Sequence, residues 1–366
     1  MNRLISRLFF PFVLAVACAV GAGCTHSTMP TPVDPGAPVL ACPNAITQLS
    51  MLGIPLAITY NLPTVTGGFA PIAGPTCLPS SGSTFGQGTT SVTCTATDAK
   101  QRSGTCSFSV TITYPPKLTV TRFLAFGDSI TLGEDGQNAV TMTEGAPPWR
   151  IWVQMPFADT YPGALQIDLV ARYSLQSPNV FNDGANGESL VDPINPALKR
   201  FRADLALGTR EWDAVLILEG SNDLNKRDAA IEPAMIGQLG AMIDFALSHG
   251  VKPFLATLPP MNPSGCCPID RGRGAALVPG FNDQLQTLAL SKSVPLVDVY
   301  QAFNGNLALI GPDGLHPTAD GYHLMAQTFL NSIKQTLEAA PTSTATPTGK
   351  ASATSKATTR KGFGRP

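Results

Sequence analysis

The chain has 366 residues, enough for about two domains of ordinary size. Its net charge of −1 gives it no global attraction to nucleic acid or to other polyanions. Its eight cysteines fall into three groups: Cys18 and Cys24 near the start, Cys42, Cys77, Cys94 and Cys106 within a 65-residue window, and the adjacent Cys266 and Cys267.

In chain order, Arg3 and Arg7 precede an uncharged apolar stretch from 8 to 22 that ends in small residues, "AVGAGC". The stretch is too short to cross a bilayer comfortably and has the layout of a signal peptide. A cysteine after a small-residue cleavage site resembles a bacterial lipobox, which makes 1–24 a lipoprotein-type signal peptide and Cys24 its lipidated residue. Gly21 stands where that motif usually has Leu, so cleavage without lipid is the alternative, and Cys18 in "LAVAC" is a rival. Both routes predict an exported protein, anchored in the envelope (outer membrane or periplasm) or secreted, in a compartment where disulfides persist. Any membrane contact would be through the lipid anchor.

Residues 25–38, "THSTMPTPVDPGAP", are Pro-rich and polar and read as a spacer. From 39 to 115 the pattern is β: "SVTCTATDA" and "TCSFSVTITY" alternate apolar and polar residues around a short turn, a hairpin signal. Between Thr31 and Thr97 the only charged residue is Asp34. So weakly charged a segment needs reinforcement, which Cys42, Cys77, Cys94 and Cys106 can supply as two disulfides in any of three pairings. "ACPNAI" and "CLPSSGSTFGQGTTSVTCTATDAKQRSGTCSFSVTI" resemble the HYR (hyalin repeat) family of immunoglobulin-like β-sandwiches. That resemblance implies a structural or adhesive module with a cell-surface or glycan partner and no chemistry of its own.

From 116 to 338 apolar strand candidates (119–126, 178–182, 213–219, 251–257, 294–299) alternate with helical stretches (161–173, 193–206, 228–248, 280–292, 319–337). Such alternation predicts a parallel sheet covered on both faces, with ligands at the carboxyl ends of the strands. The first strand ends in "GDSIT" with Ser129, and the second in the Gly-rich "NDGANGES". The third ends in "EGSND" with Asn222, and after the fifth comes "LIGPDGLHPTADGYHLMA", with Asp313 and His316. These residue types suit acyl transfer. A serine needs a base, a histidine base needs a carboxylate to orient it, and the oxyanion needs fixed N–H donors. The chain has four histidines. His26 lies in the spacer, His249 at a helix C-terminus and His323 along the last helix, which leaves His316.

"AFGDSIT", "NDGANGES", "EGSND" and "DGLHPTADGYHLMA", in this order over about 220 residues, resemble the SGNH (GDSL-type) hydrolase family. The resemblance implies a three-layer α/β/α flavodoxin-like domain with a parallel five-stranded sheet. It implies Ser129 as nucleophile, His316 as base and Asp313 as its orienting acid. The oxyanion donors would be the Ser129 and Gly187 backbone N–H groups and the Asn222 amide, with Gly184 the rival to Gly187. No GxSxG elbow surrounds Ser129, against an α/β-hydrolase fold. The expected activity is a serine esterase acting on small-molecule or polysaccharide esters, O-acetyl or short-chain acyl groups among them, with no cofactor and no metal.

The connection 134–160 is long. Its Trp149 and Trp152 either line a pocket or anchor the loop, and Arg150 could meet an acidic substrate. Cys266 and Cys267 could form a vicinal disulfide beside the catalytic edge, while Asp128 and Asp223 read as loop-shaping hydrogen-bond acceptors. Residues 339–366 form a basic Thr/Ser/Ala-rich tail expected to be disordered; its five positive charges leave −6 for the rest. The competing reading is a non-catalytic surface adhesin, which the β module, spacer and tail all fit. Nucleotide binding is disfavoured because no Walker-type or GxGxxG loop follows the first strand.

Overall fold

The computed structural model describes residues 33–136, 153–194, 196–206, 212–226, 228–265 and 272–340. The backbone divides into two compact units. One holds Leu62–Leu78 and Thr93–Ser107 with the segment up to Pro43; the other holds Asn44–Asn61, Pro79–Val92 and everything from Phe108 onward.

The N-terminal region is all β: β1 (Val39–Ala41), β2 (Ile46–Leu49), β3 (Leu56–Ala57), β4 (Thr64–Thr66), β5 (Ala73–Leu78), β6 (Thr84–Phe85), β7 (Gly88–Thr97) and β8 (Ser103–Thr113). They form a four-stranded sheet ordered β2-β8-β7-β5 and two-stranded sheets β1-β4 and β3-β6. The alternation read from the sequence sets which side chains turn inward. Val92, Cys94, Ala96, Phe108, Val110 and Ile112 are buried. The intervening hydroxyls pair instead, Thr93 with Ser107 at 3.1 Å and Thr97 with Ser103 at 2.8 Å.

Of the three possible pairings the structure has Cys42–Cys106 and Cys77–Cys94, with sequence separations of 64 and 17. Closing loops of those lengths is worth about 4 and about 3 kcal/mol. At the β7–β8 turn the Asp98 carboxylate accepts from the backbone N–H of Phe69, Lys100 and Arg102 and from the Arg102 guanidinium. Burial pushes this carboxyl up, but the backbone N–H groups and Arg102 outweigh it and hold it at about 2.

The second region runs β9 (Arg122–Gly127), α1 (Ser129–Leu132), α2 (Tyr161–Arg172), β10 (Asn179–Gly184), α3 (Ala197–Ala206), β11 (Ala214–Leu218), α4 (Ser221–Leu224) and α5 (Glu232–Ser248). It continues through β12 (Lys252–Ala256), α6 (Val278–Lys292), β13 (Leu296–Val297), α7 (Val299–Phe303) and α8 (Ala319–Leu337). The sheet is parallel, ordered β10-β9-β11-β12-β13. This is the flavodoxin-like order, in which successive crossovers leave β9 and β11 toward opposite faces. Accordingly α2 packs with α8, while α3, α5 and α6 pack together. All five residues of β11 and Phe123–Phe126 of β9 are buried, as a doubly covered parallel strand requires. Leu218 of β11 and Gly184 of β10 both sit in register with Gly127, so three strands end level.

Two expectations shift locally. The last strand is only Leu296–Val297, because Asp298 caps α7 by accepting the N–H of Gln301. The helix expected from 193 begins at Ala197, since a residue before proline disfavours helical backbone and Pro196 follows Asn195.

Candidate active site

β9 stops where β11 comes closest. A Cβ on Gly127 would lie 2.1 Å from the Leu218 carbonyl oxygen, so only glycine permits the approach. Asp128 then caps α1, its carboxylate accepting the Ile130 N–H at 2.8 Å. Ser129 is therefore the first helical residue, where a backbone N–H has no intrahelical acceptor. Its side chain is buried and faces His316, Oγ to Nε2 at 2.8 Å.

His316 comes from the loop between α7 and α8. One oxygen of Asp313 accepts the backbone N–H groups of Leu315 and His316, each at 3.0 Å. The other meets His316 Nδ1 at 2.5 Å. Burial pushes the Asp313 carboxyl up, but the bond to His316, the charge on that ring and the two backbone donors prevail and hold it below its ordinary value. The structure thus brings Ser129, His316 and Asp313 into one continuous chain of contacts. His249 is engaged elsewhere: its Nδ1 lies 2.8 Å from the Phe245 carbonyl at the end of α5 and 3.1 Å from the Ser248 hydroxyl. His323 is half exposed, 3.6 Å from Asp159.

Gly187 lies in the turn after β10 with φ 72, in the left-handed region that favours glycine, and no atom lies within 4 Å of where its Cβ would be. Gly184 differs. It is the last residue of β10, its N–H donates to the Asn182 side chain at 3.0 Å, and a Cβ there would meet the Leu132 backbone at 2.0 Å. Its N–H is spent and its small size serves packing against α1. Asn222, in the short α4 beyond β11, donates its amide to the Glu188 carbonyl at 2.8 Å and more distantly to Asp128 at 3.5 Å. Asp223 accepts from the Ser189 hydroxyl and from the Leu190 N–H at 2.8 Å, fastening the end of the Gly-rich loop to α4.

Several ionic groups gather at this edge, and of them the sequence singled out only Asp128. Arg200 of α3 lies 3.9 Å over the Phe126 ring and donates to the carbonyls of Gly127 and Asp183, at 3.1 and 3.0 Å. It also takes both carboxylate oxygens of Glu188, at 2.8 and 2.5 Å, and pairs with Asp183 at 2.8 Å. One guanidinium therefore ties the ends of β9 and β10 to the residue after Gly187. Burial raises Asp183 to about 6 even so, with Asp204 adding to the effect. Burial likewise raises Asp128 to about 6, against the Ile130 N–H and His316, which lower it. Glu219, fully buried just before α4, is raised well above the usual carboxylate range by burial and by the charges of Asp128, Glu188 and Asp223. Glu134, two residues beyond α1, is 3% exposed, and its carboxylate lies 3.3 Å from His316 Nε2. Apart from Asp128, each is an isolated charge in the sequence, so no local spacing announced it.

Glu134, Asp313 and His316 have ligand atoms within 4.8 Å of one another, a spacing that could hold a metal ion. Their donors sit on opposite edges of one imidazole, however, with Asp313 at Nδ1 and Glu134 at Nε2, so a single ion could not take all three. The expected lipidation at Cys24, the Cys266–Cys267 pair, Arg150, Trp149 and Trp152, and the tail from 341 lie outside the described residues.

A family model for the GDSL-like lipase/acylhydrolase family matches residues 125–324, and one for the HYR domain matches residues 33–112. Among solved structures, Est24, a carbohydrate acetylesterase from Sinorhizobium meliloti, is 19% identical, covering 59% of this chain and 99% of its own, with a TM-score of 0.47. A lipase/acylhydrolase from Enterococcus faecalis is 23% identical over 61% of this chain and 99% of its own, TM-score 0.47. The M. smegmatis aryl esterase is 18% identical over 59% and 99%, TM-score 0.46. A search of curated proteins finds no match.

Proposed function

The chain belongs to the GDSL-like lipase/acylhydrolase family and is a carboxylic ester hydrolase; we propose that Ser129 is its nucleophile, His316 the base and Asp313 the orienting acid. The observation that carries this reading is the relay Ser129 Oγ to His316 Nε2 at 2.8 Å and His316 Nδ1 to Asp313 at 2.5 Å, lying beyond the carboxyl end of β9.

Ser129 Oγ attacks the ester carbonyl carbon as its proton passes to His316 Nε2. The carbonyl electron pair moves onto oxygen, where the N–H groups of Ser129 and Gly187 and the Asn222 amide receive it. As the intermediate collapses, the alcohol oxygen leaves with the Nε2 proton and the acyl group stays on Ser129. Water, losing a proton to His316, repeats the attack and releases the acid. Asp313 holds the ring in the tautomer with hydrogen on Nδ1 and stabilises the imidazolium.

The proposal extends to an exported enzyme acting on O-acetyl or short-chain acyl esters of carbohydrate at the cell surface, with the β module engaging a surface or glycan partner. The signal-peptide pattern of 1–24 and the HYR-type module support this.

The test is release of p-nitrophenol from acetate, butyrate and decanoate esters. Ser129→Ala should lower kcat by about 10⁴-fold or more while the melting transition is retained. Undiminished hydrolysis by the variant would overturn the assignment, and the chain-length profile reports the acyl preference.

A further inference from the structure

We propose that Glu134 is a positioning residue for the His316 imidazolium, so that the ring works between two carboxylates, one at each nitrogen. The inference rests on the reading of His316 as the base of Ser129 and adds a group that the triad does not include.

Glu134 faces the working edge of the ring. Its Oε2 is 3.3 Å from Nε2, the same nitrogen that Ser129 Oγ approaches at 2.8 Å, while Asp313 holds Nδ1 at 2.5 Å. The backbone around it is pinned. The Glu134 N–H donates to the Ser129 carbonyl at 3.0 Å, and its own carbonyl accepts the buried Tyr322 hydroxyl of α8 at 2.8 Å. On either side the Gly133 carbonyl accepts the Met155 N–H at 2.9 Å and the Asp135 N–H donates to Val153 at 2.7 Å. Gly133, with φ 93, makes the turn that delivers Glu134 from the end of α1. The same backbone run therefore carries nucleophile and carboxylate, and their separation cannot drift independently. Among the described residues, the ionisable groups on the elements around the ring are Asp313 on its own loop, Asp128 at the start of α1, Glu134 and Asp135 after it, and Tyr322 on α8.

The contact changes sign during the reaction. In the resting enzyme the Nε2 lone pair points toward the Ser129 hydroxyl, and a carboxylate beside a lone pair gains nothing. When Nε2 takes the serine proton it becomes a charged N–H, and the carboxylate 3.3 Å away then attracts it. An interaction present only in the charged state lowers the barrier without tightening substrate binding. The proton stays on the more basic ring until the departing alkoxide takes it, so proton count and charge balance as in the unassisted cycle.

The experiment is the pH profile of kcat and kcat/KM for wild type, Glu134→Gln, Glu134→Asp and Ser129→Ala on p-nitrophenyl acetate. Glu134→Gln should lower kcat about 10- to 100-fold at pH 8, the worth of one charge-assisted contact, with KM within about twofold. It should also move the acid limb of kcat/KM to lower pH by about one unit, because the charged ring loses a partner. Glu134→Asp should keep the limb at the wild-type position with a smaller loss of rate. A Glu134→Gln profile that runs parallel to wild type, with its acid limb unmoved, would overturn the inference by making the residue merely structural. If Glu134→Gln lacks a melting transition, the neutral Glu134→Met decides in its place: an acid limb moved to lower pH supports the inference and an unmoved one overturns it. Hydrolysis retained in Ser129→Ala would instead sink the triad reading, a failure distinct from either result at Glu134.

Discussion

Arg200 offers the sharpest test of how the active edge is held, through Arg200→Met, which keeps the stem over Phe126 and removes the charge. The guanidinium is the partner of Glu188 and Asp183 and the donor to two strand-end carbonyls. Deleting one partner of a buried ion pair costs about 3–5 kcal/mol. The Arg200 side chain keeps a relative exposure of 25%, so the lower end, about 3 kcal/mol, applies. At about 2–4 °C per kcal/mol for a domain of this size, Tm at pH 8 should fall by about 6–12 °C. The loss should depend on pH. Asp183 already has its folded value raised to about 6, above the ordinary 3.8. A raised carboxyl contributes stability that is present below the unfolded value and lost as pH rises through the folded one. Removing Arg200 raises Asp183 further, so the deficit should be largest at pH 8 and shrink toward pH 5. Differential scanning calorimetry of both proteins from pH 5 to 8 makes the comparison, with hydrolysis measured in parallel. A Tm within 2 °C of wild type at pH 8, or a deficit that grows toward pH 5, would refute the reasoning.

Asp313→Asn keeps the size of the side chain and removes its charge. It should cut kcat by about 10⁴-fold, as a ring held in the wrong tautomer does, while fluorophosphonate labelling of Ser129 slows in proportion; undiminished labelling would separate Asp313 from the relay. The two glycines of the "NDGANGES" loop should part company. Gly184→Ala drives a Cβ to 2.0 Å from the Leu132 backbone and should be strongly destabilising. Gly187→Ala meets no atom within 4 Å and should cost only about 1–2 kcal/mol of left-handed strain, with kcat reduced as its N–H shifts; equal melting temperatures for the two variants would contradict the geometry.

Sequence reached far in the second region because its signals are local. A strand buried on both faces is a short apolar run, and α8 spans 319–337 as its pattern implied because Thr318 caps it by accepting the Gly321 N–H. Asp313 and His316 are close in sequence, so one turn announces both. The hydroxyl-rich β module was legible through its period of two, but cysteine pairing depends on which strands neighbour one another and no periodicity records that. Arg200 and Glu134 were invisible for the same reason. Arg200 reaches Gly127 across 73 positions, and Glu134 meets His316 from the opposite end of the fold. Each looks like an ordinary charge until the sheet closes, and Glu219 at the end of "LILEG" looks like the polar end of a strand.

The acids gathered at this edge also explain why it needs so many fixtures. Asp128, Asp183, Glu188, Glu219 and Asp223 gather where three strands end level, with Arg200 as their most buried cation. Repulsion among them should open the edge. The fold answers in two ways. Arg200 neutralises the pair nearest the Gly-rich loop, and burial raises the Glu219 carboxyl well above the ordinary carboxylate range, disfavouring a further charge there. What remains against the His316 ring are the carboxylates of Asp313 and Glu134, which under the proposed mechanism attract it once it carries the serine proton. The same charges oppose the oxyanion, so its donors must be fixed beforehand rather than recruited. Under the proposed roles, that is the work of Asp128 capping α1, of Asp223 fastening the loop to α4, and of Asn222 already bonded to Glu188. Acids that cost stability at the sheet edge thus serve a base that must become a cation in every cycle, an expense concentrated where the chemistry occurs.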